Sequence, residues 1–159
     1  MNSRVINIIL PIIAIIIYIC INFVYIFFAK DRYAPVIENI QKGDKMQLDF
    51  IAAGVCYAIL GLGWYFIGVT LALAYFDKLK QRSPTWSPLV SSALSGLVGG
   101  VVYGLVLFGV HNASLRSLFS NRYPLDLVLQ DIAWGALYNM VFTSVYMIIW
   151  RKLTNPVDL

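Results

Sequence analysis

Four long apolar runs constrain this chain more than any other feature of its sequence. They cover residues 5–29, 48–76, 89–110 and 125–150, and most charged residues lie between or beside them. A bilayer core about 30 Å thick is crossed by roughly 20 helical residues, and each run reaches that length. The shorter alternating pattern of membrane-barrel strands does not occur in the sequence. The runs therefore predict an all-α, integral membrane four-helix bundle that forms one domain over residues 1–159.

The charge content agrees with this class and excludes others. Only 13% of the 159 residues are charged, whereas about 25% is usual for a soluble domain. The first run ends in the bulky stretch "YIFFAKDRY" without a small-residue cleavage site, so we interpret it as an uncleaved signal anchor. The formal charge is +4, but the basic residues are spread over loops and ends. No basic face is expected to follow a phosphate backbone, so nucleic acid is not a predicted partner.

The orientation in the membrane depends on how the Lys and Arg residues are divided between the two sides. Four spans place both termini on one side, and six Lys and Arg residues fall on each side of the bilayer. The positive-inside rule is therefore tied. The densest basic cluster, "DKLKQR" at residues 77–82, favours cytoplasmic termini.

The first connection contains a further helical pattern. After Pro35, the apolar residues Val36, Ile37 and Ile40 recur at helical spacing, and the pattern stops at Lys42-Gly43. A proline early and a glycine late are typical of a short helix. We expect this helix to lie at the membrane surface, with an irregular loop as the alternative.

Small residues form stripes on the second and third runs. The stripes consist of Gly54, Ala58, Gly61, Gly68 and Ala72 on the second run, and Ser92, Gly96, Gly100 and Gly104 on the third. In lipid, the hydrophobic effect contributes little to helix association, so the close approach of two backbones becomes important. The stripes therefore predict that the second and third helices pack tightly against each other. The alternative is that they leave room for a ligand or a permeation path.

Asp131 is a carboxylate within the fourth apolar run. Asp126 lies in the first turn of the fourth helix, where it favours the positive end of the helix dipole. Asp131 lies roughly 7–8 Å further along the axis, where a charge facing lipid is costly. It shares a helix face with Trp134, Tyr138 and Asn139, which predicts an inward polar strip. Candidate hydrogen-bond donors to this strip from the other spans are Tyr65, Thr70, Tyr103, His111 and Asn112. Asp131 either accepts structural hydrogen bonds there or binds a proton, a cation or a polar headgroup.

The sequence offers little chemistry for catalysis. Cys20 and Cys56 lie inside apolar runs and are expected to act as small hydrophobic residues. His111 lies at a helix end without a neighbouring nucleophile, and no spacing of ligands suggests a metal site. We therefore expect no enzymatic activity, no metal and no cofactor.

One motif of the fourth helix resembles a known family. Tyr123-Pro124, an apolar run, and Asp131 with Trp134-Gly135 resemble the late motif of the domain of unknown function 2177 family, small predicted membrane proteins found mainly in bacteria. Tyr103-Gly104 and "ASL" at residues 113–115 are similar to the family's upstream motifs. The resemblance implies four membrane helices, and it implies no activity because the family has none established.

The chain also departs from that family. The family's Asp-x-Thr-Asn is replaced by "LFGVHN" at residues 107–112, and its Asp and Trp of the first helix correspond to Asn22 and Tyr25. If the family's acids bind something jointly, this chain has lost part of that site. The resemblance then implies a mainly architectural role for Asp131.

Two functions are consistent with these features. The first is a non-enzymatic membrane protein that anchors or organises partners, either further copies of itself or other membrane or membrane-associated proteins. Such a compact chain is also compatible with the internal membrane of an enveloped particle, although no residue requires it. The second is a small oligomeric transporter or channel for a proton, a cation or a lipid-like molecule that uses Asp131.

Overall fold

The computed structural model describes residues 3–47 and 49–154 and confirms the all-α class. The helices are α1 (Ser3–Ile40), α2 (Phe50–Gly63), α3 (Thr70–Arg82), α4 (Pro88–Phe119) and α5 (Leu125–Thr154). A π-helical segment, Trp64–Val69, joins α2 to α3 without a break, and a 3₁₀ turn, Ser120–Arg122, follows α4. The result is four helical segments, each long and apolar enough to cross a membrane. The predicted start of the second helix at residue 48 lies outside the described residues, as do residues 1–2 and 155–159.

Two of the helices, α2 and α4, begin after residues whose side chains accept hydrogen bonds from free backbone N–H groups. The carboxylate of Asp49 accepts hydrogen bonds from the backbone N–H groups of Ile51 and Ala52 at the start of α2. The hydroxyl of Ser87 accepts one from Val90 at the start of α4, where Pro88 needs no partner because it lacks an N–H. These caps place both helix starts within the connections, where the sequence becomes polar.

α1 is longer than the sequence predicts. It passes through Pro35 and continues to Ile40, so the prediction of a separate surface helix after Pro35 is wrong. Two apolar residues of that pattern, Val36 and Ile40, face the bundle, because they pack against a cluster at the start of α5 that includes Leu127. This packing stabilises the helix beyond a proline that removes one of its hydrogen bonds.

The end of α1 does follow its predicted signal. The backbone N–H of Gly43 donates to the carbonyl of Glu38, and that of Lys42 donates to Asn39. This pair of bonds is a Schellman motif, which requires a left-handed residue after the helix. Lys42 and Gly43 both have positive φ, of 61° and 104°.

The small-residue stripe of α4 lies against α5, not against the second span as predicted. A β-carbon added at Gly96, Gly100 or Gly104 would overlap the α5 backbone. Ser92, at the start of the stripe, is fully buried, and its hydroxyl donates to the carbonyl of Pro88. Spacing predicted a close contact, but the partner helix depends on how the four spans are arranged.

A different glycine brings the second span close to α4. A β-carbon at Gly99 would overlap the carbonyl of Gly68 and the backbone of Ala72. Gly61 faces α1 instead, where it contacts Ile15 and Ile19.

The start of the second-span stripe makes no such contact. Gly54 and Ala58 are exposed, and a β-carbon at Gly54 would have nothing within 4 Å. The stripe on the second span is therefore divided among different neighbours.

Gly100→Ala should destabilise the protein because the added methyl group would overlap the Asn139 carbonyl. We expect a loss of about 1–3 kcal/mol in the free energy of unfolding, seen as a lower melting temperature in detergent. Gly109→Ala is the matched control on the same helix, since a β-carbon there has nothing within 4 Å. It should leave the melting temperature unchanged or slightly higher. Equal effects of the two substitutions would contradict the close α4–α5 contact.

Candidate functional site

Asp131 is buried between α5 and α1, with 5% of its surface exposed. Its Oδ1 accepts a hydrogen bond of 2.7 Å from the hydroxyl of Tyr25 and a second hydrogen bond from the hydroxyl of Tyr33. The two tyrosines are eight residues apart on α1, so they lie on the same helix face. A carboxylate that loses contact with water needs such donors, and both come from the neighbouring helix.

Two further side chains of α5 complete the surroundings of Tyr25. The side-chain amide nitrogen of Gln130, Nε2, donates a hydrogen bond of 3.3 Å to the Tyr25 hydroxyl. The indole of Trp134 stacks on the Tyr25 ring, with centroids 4.4 Å apart and planes 6° from parallel. We call Tyr25, Tyr33, Gln130, Asp131 and Trp134 the Asp131 cluster.

A second polar layer lies one to two turns deeper in the bundle. The hydroxyl of Tyr18 donates to Oδ1 of Asn139 over 2.9 Å, and the hydroxyl of Tyr138 donates to the carbonyl of Tyr18 over the same distance. The side-chain amide of Asn139 donates to the carbonyl of Gly135. These bonds also join α1 to α5, so polar contacts between the two helices continue well below Asp131.

The π-helical segment contributes the largest residue of the core. Trp64 is fully buried, and its indole N–H donates to the hydroxyl of Thr143 over 2.9 Å. Its ring stacks on Tyr18 with centroids 5.3 Å apart. Single π turns inside helices frequently occur at functional sites, and this one joins the second span to both α1 and α5.

Tyr123 closes the end of the bundle nearest to Asp131. Its side chain is buried, its hydroxyl donates to Oδ1 of Asn112, and its carbonyl accepts a hydrogen bond from Arg116. Burial is the main reason that the pKa of Tyr123 rises to about 12, and the negative charge of Asp131 adds to it. The hydroxyl therefore stays protonated and remains a donor.

The structure places the predicted strip residues on one inward side of α5, to different depths. Asp131, Tyr138 and Asn139 are buried, and Trp134 is half-buried. Trp134 stacks on Tyr138 as well as on Tyr25, with 5.4 Å between its ring centroid and that of Tyr138. The four residues are thus linked by stacking and by shared contacts with α1.

The donors to the strip differ from those expected from the sequence. Tyr103, on α4, donates to the carbonyl of Leu60 instead, and His111 is exposed. The donors that sequence reasoning missed are Tyr18, Tyr25 and Tyr33 of α1. Tyr18 and Tyr25 lie in the first apolar run and Tyr33 lies just beyond it, and their spacing of seven and eight residues is a helical signal present in the sequence.

The Asp131 cluster retains two polar atoms without a hydrogen-bond partner. Within the described residues, these buried atoms are Oε1 of Gln130 and the indole nitrogen of Trp134. The same part of the chain contains no group of three His, Cys, Asp or Glu side chains that could hold a metal ion. The cluster therefore offers hydrogen bonding and one buried carboxyl group, which suit a helix latch or the binding of a proton.

A cleft of about 300 Å³ lies at the opposite end of the bundle from Asp131. Its lining residues come from α1, the second span and α5: Asn7, Tyr65, Val69, Leu73, Tyr146 and Trp150. The indole N–H of Trp150 donates to Oδ1 of Asn7 across the cleft rim.

Removing the Tyr33 hydroxyl should weaken the contact between α1 and α5. We expect Tyr33→Phe to lower the free energy of unfolding by about 1–3 kcal/mol, because Asp131 would lose one of its two buried donors. Tyr75→Phe, at a tyrosine that is 37% exposed, serves as the control and should have little effect. Thermal unfolding in detergent gives both values.

A double-mutant cycle separates this bond from general loss of packing. Tyr33→Phe combined with Asp131→Asn should be less destabilising than the sum of the single changes, with a coupling of about 0.5–3 kcal/mol. Strict additivity would contradict a direct Tyr33–Asp131 interaction.

Comparison with protein-family models, with curated proteins and with solved structures finds no match to this chain. The resemblance of its Tyr-Pro and Asp-x-x-Trp-Gly motif to the family of domain of unknown function 2177 stays a prediction. The residues of that motif nevertheless have clear positions here: Tyr123 closes the end of the bundle, Asp131 and Trp134 contact α1, and Gly135 lies against Phe108 of α4.

Proposed function

We propose that this protein is a multi-pass integral membrane protein with a structural, anchoring or partner-organising role and no catalytic activity. The observation that carries the proposal is the use of interior polar groups within the chain. Asp131 accepts hydrogen bonds from Tyr25 and Tyr33, and Asn139 both accepts and donates within the bundle. Groups engaged in this way serve to hold helices together.

The outer surface supports residence in a membrane. Large apolar side chains are widely exposed, among them Ile8 at 64%, Phe28 at 77% and Ile51 at 81%. In water, continuous apolar surface of this kind favours aggregation. In a membrane, this apolar surface would be covered by lipid chains.

We propose cytoplasmic termini. The connection between α3 and α4 lies at the same end of the bundle as the start of α1 and the end of α5, and "DKLKQR" stands directly before it. Basic residues in short connections favour the cytoplasmic side. The partners we propose are further copies of this chain or other membrane or membrane-associated proteins, and the internal membrane of an enveloped particle is one setting in which they would meet.

The bonding of Asp131 favours a latch over a transport site. A transport site needs a path for its ion, and the cleft of about 300 Å³ does not include Asp131 among its lining residues. Removing either tyrosine would leave a buried carboxylate short of donors, as expected of a structural bond.

One observation favours the second function. Oε1 of Gln130 and the indole nitrogen of Trp134 are buried beside Asp131 without partners in the described chain. Intramembrane acids next to such groups often mark proton or ion sites. A small oligomeric transporter or channel that uses Asp131 is therefore the alternative.

Detergent extraction followed by mass measurement tests the partner-organising role. We expect the protein to leave the membrane fraction only with detergent and to migrate as a stable oligomer or with a co-purifying protein. Reconstitution at low protein-to-lipid ratio, with crosslinking, controls for association induced by detergent. A monomer without partners under both conditions would count against the proposal.

A flux assay in liposomes separates the two functions. We expect neither proton nor cation flux above that of empty liposomes from the wild-type protein, because Asp131 is engaged in hydrogen bonds. Asp131→Asn should then change stability and leave flux at the background level. Flux in the wild type that Asp131→Asn abolishes would establish the transporter instead.

A further inference from the structure

The cleft at the terminal end of the bundle has a lining that suits an acyl chain. Five of its six residues present rings or aliphatic groups: Tyr65, Val69, Leu73, Tyr146 and Trp150. From Leu73 to Tyr65 the second span descends eight residues, which is about 12 Å along the helix axis. The residues that line the cleft therefore extend over about two helical turns of the second span.

The surroundings of the cleft are apolar and open on the outside. Ile8 follows the lining residue Asn7 and is 64% exposed, and Phe66 follows Tyr65 and is 66% exposed. The contacts of α1 with the second span that involve Gly61 and Tyr57 lie in α2, toward the other end of the bundle. In a membrane, lipid would have access to the cleft from the side.

The end of the bundle above the cleft is strongly basic. Its described side chains comprise five cations and one acid: Lys78, Lys80, Arg82, Arg151 and Lys152, and Asp77. The opposite end carries six basic and five acidic residues besides the buried Asp131, so it is nearly balanced. Positive charge is thus concentrated at the end where the cleft opens.

Two of these cations lie on helices that line the cleft: Arg151 on α5, and Lys80 on α3, where its Nζ also donates to the carbonyl of Trp86. Arg151 follows the lining residue Trp150 and lies over the ring of Phe76, with its guanidinium carbon 5.5 Å from the ring centroid. Lys80 follows Leu73 by seven residues, so it lies two turns above it on the same helix face. Asp77 lies between Leu73 and Lys80 on that face and is the one acid of this end among residues 3–47 and 49–154.

We propose that the cleft binds an anionic phospholipid, with an acyl chain between α1 and the second span and the phosphate among the cations at the rim. The charge of this end selects an anionic headgroup, and the aromatic and aliphatic lining accepts the chain. The assignment rests on the membrane residence proposed above and adds a specific ligand class to it.

Competitive lipid retention tests the site. The wild-type protein is reconstituted into lipid nanodiscs with equal amounts of phosphatidylglycerol and phosphatidylcholine, extracted in mild detergent, and weighed as an intact complex by native mass spectrometry. We expect phosphatidylglycerol to be retained over phosphatidylcholine by about fivefold, which corresponds to about 1 kcal/mol, the contribution of one basic residue near an anionic surface. Equal retention of the two lipids would overturn the proposal.

A pair of variants localises the retained lipid. Leu73→Trp fills the cleft and should reduce the fivefold preference to equal retention. Leu71→Trp adds the same side chain two residues away, at a position that is 41% exposed and does not line the cleft, and it should retain the wild-type preference. The same preference in both variants would place the lipid elsewhere and overturn the assignment.

Two double substitutions of lysines provide the test if Leu73→Trp does not fold. Lys80→Gln with Lys152→Gln should remove the preference for phosphatidylglycerol, whereas Lys42→Gln with Lys45→Gln at the opposite end should keep it. A preference lost equally in both pairs would reflect general attraction to anionic lipid and contradict a built site.

Insertion into the nanodisc separates this proposal from the one on which it rests. A chain that stays outside the disc contradicts both membrane residence and the lipid site. A chain that inserts without a lipid preference contradicts the lipid site alone.

Discussion

The hydrogen bonds that Asp131 accepts from Tyr25 and Tyr33 join α5 to α1, the helix that is least able to approach its neighbours closely. α4 and α5 meet through Gly96, Gly100 and Gly104, where the backbones are in contact. α1 is rich in isoleucine and phenylalanine and has no glycine, so its interface with α5 consists of side chains. In lipid, where apolar surface gains little by association, such an interface needs polar bonds and aromatic contacts. Asp131, Trp134 and the deeper Tyr18–Asn139 pair supply them.

α5 consequently carries two kinds of contact on two faces. Gly135 and the backbone of Asn139 lie against α4, while the side chains of Asp131, Trp134 and Asn139 lie against α1. Asn139 makes contacts on both faces. Its backbone carbonyl lies against Gly100 of α4, and its side-chain amide forms hydrogen bonds with Tyr18 of α1 and the carbonyl of Gly135. This shared use of one residue couples the close α4–α5 contact to the docking of α1.

The sequence predicted the helices and their inward polar positions better than it predicted their neighbours. Apolar length alone located the four spans, and the cost of a charge in lipid was enough to expect Asp131 to face inward. The partners of Asp131 are about 100 residues away on α1, and no local rule links Tyr25 or Tyr33 to it. The glycine stripe of α4 likewise indicated close approach but carried no information about which helix approaches. The prediction of a helix boundary at Pro35 was wrong because packing of the following turn on α5, a tertiary effect, overcomes the helix-breaking tendency of proline.

The two ends of the bundle differ because α1 is bonded to α5 along most of its length but meets the second span mainly in α2. Near Asp131 the space between helices is filled by tyrosines and tryptophan. At the terminal end, the π-helical segment turns Trp64 into the core and places the next residue, Tyr65, in the cleft. Tyr146 belongs to both, since it lines the cleft and contacts Trp64 edge-on at 5.2 Å between centroids. A molecule in the cleft would therefore touch the same ring that packs on the core tryptophan, and its binding would stabilise the junction of the second span with α5. In the part of the chain that the structure describes, no side-chain hydrogen bond joins α1 to α3 at this end, so the proposed lipid would supply contacts that the helices themselves do not make there.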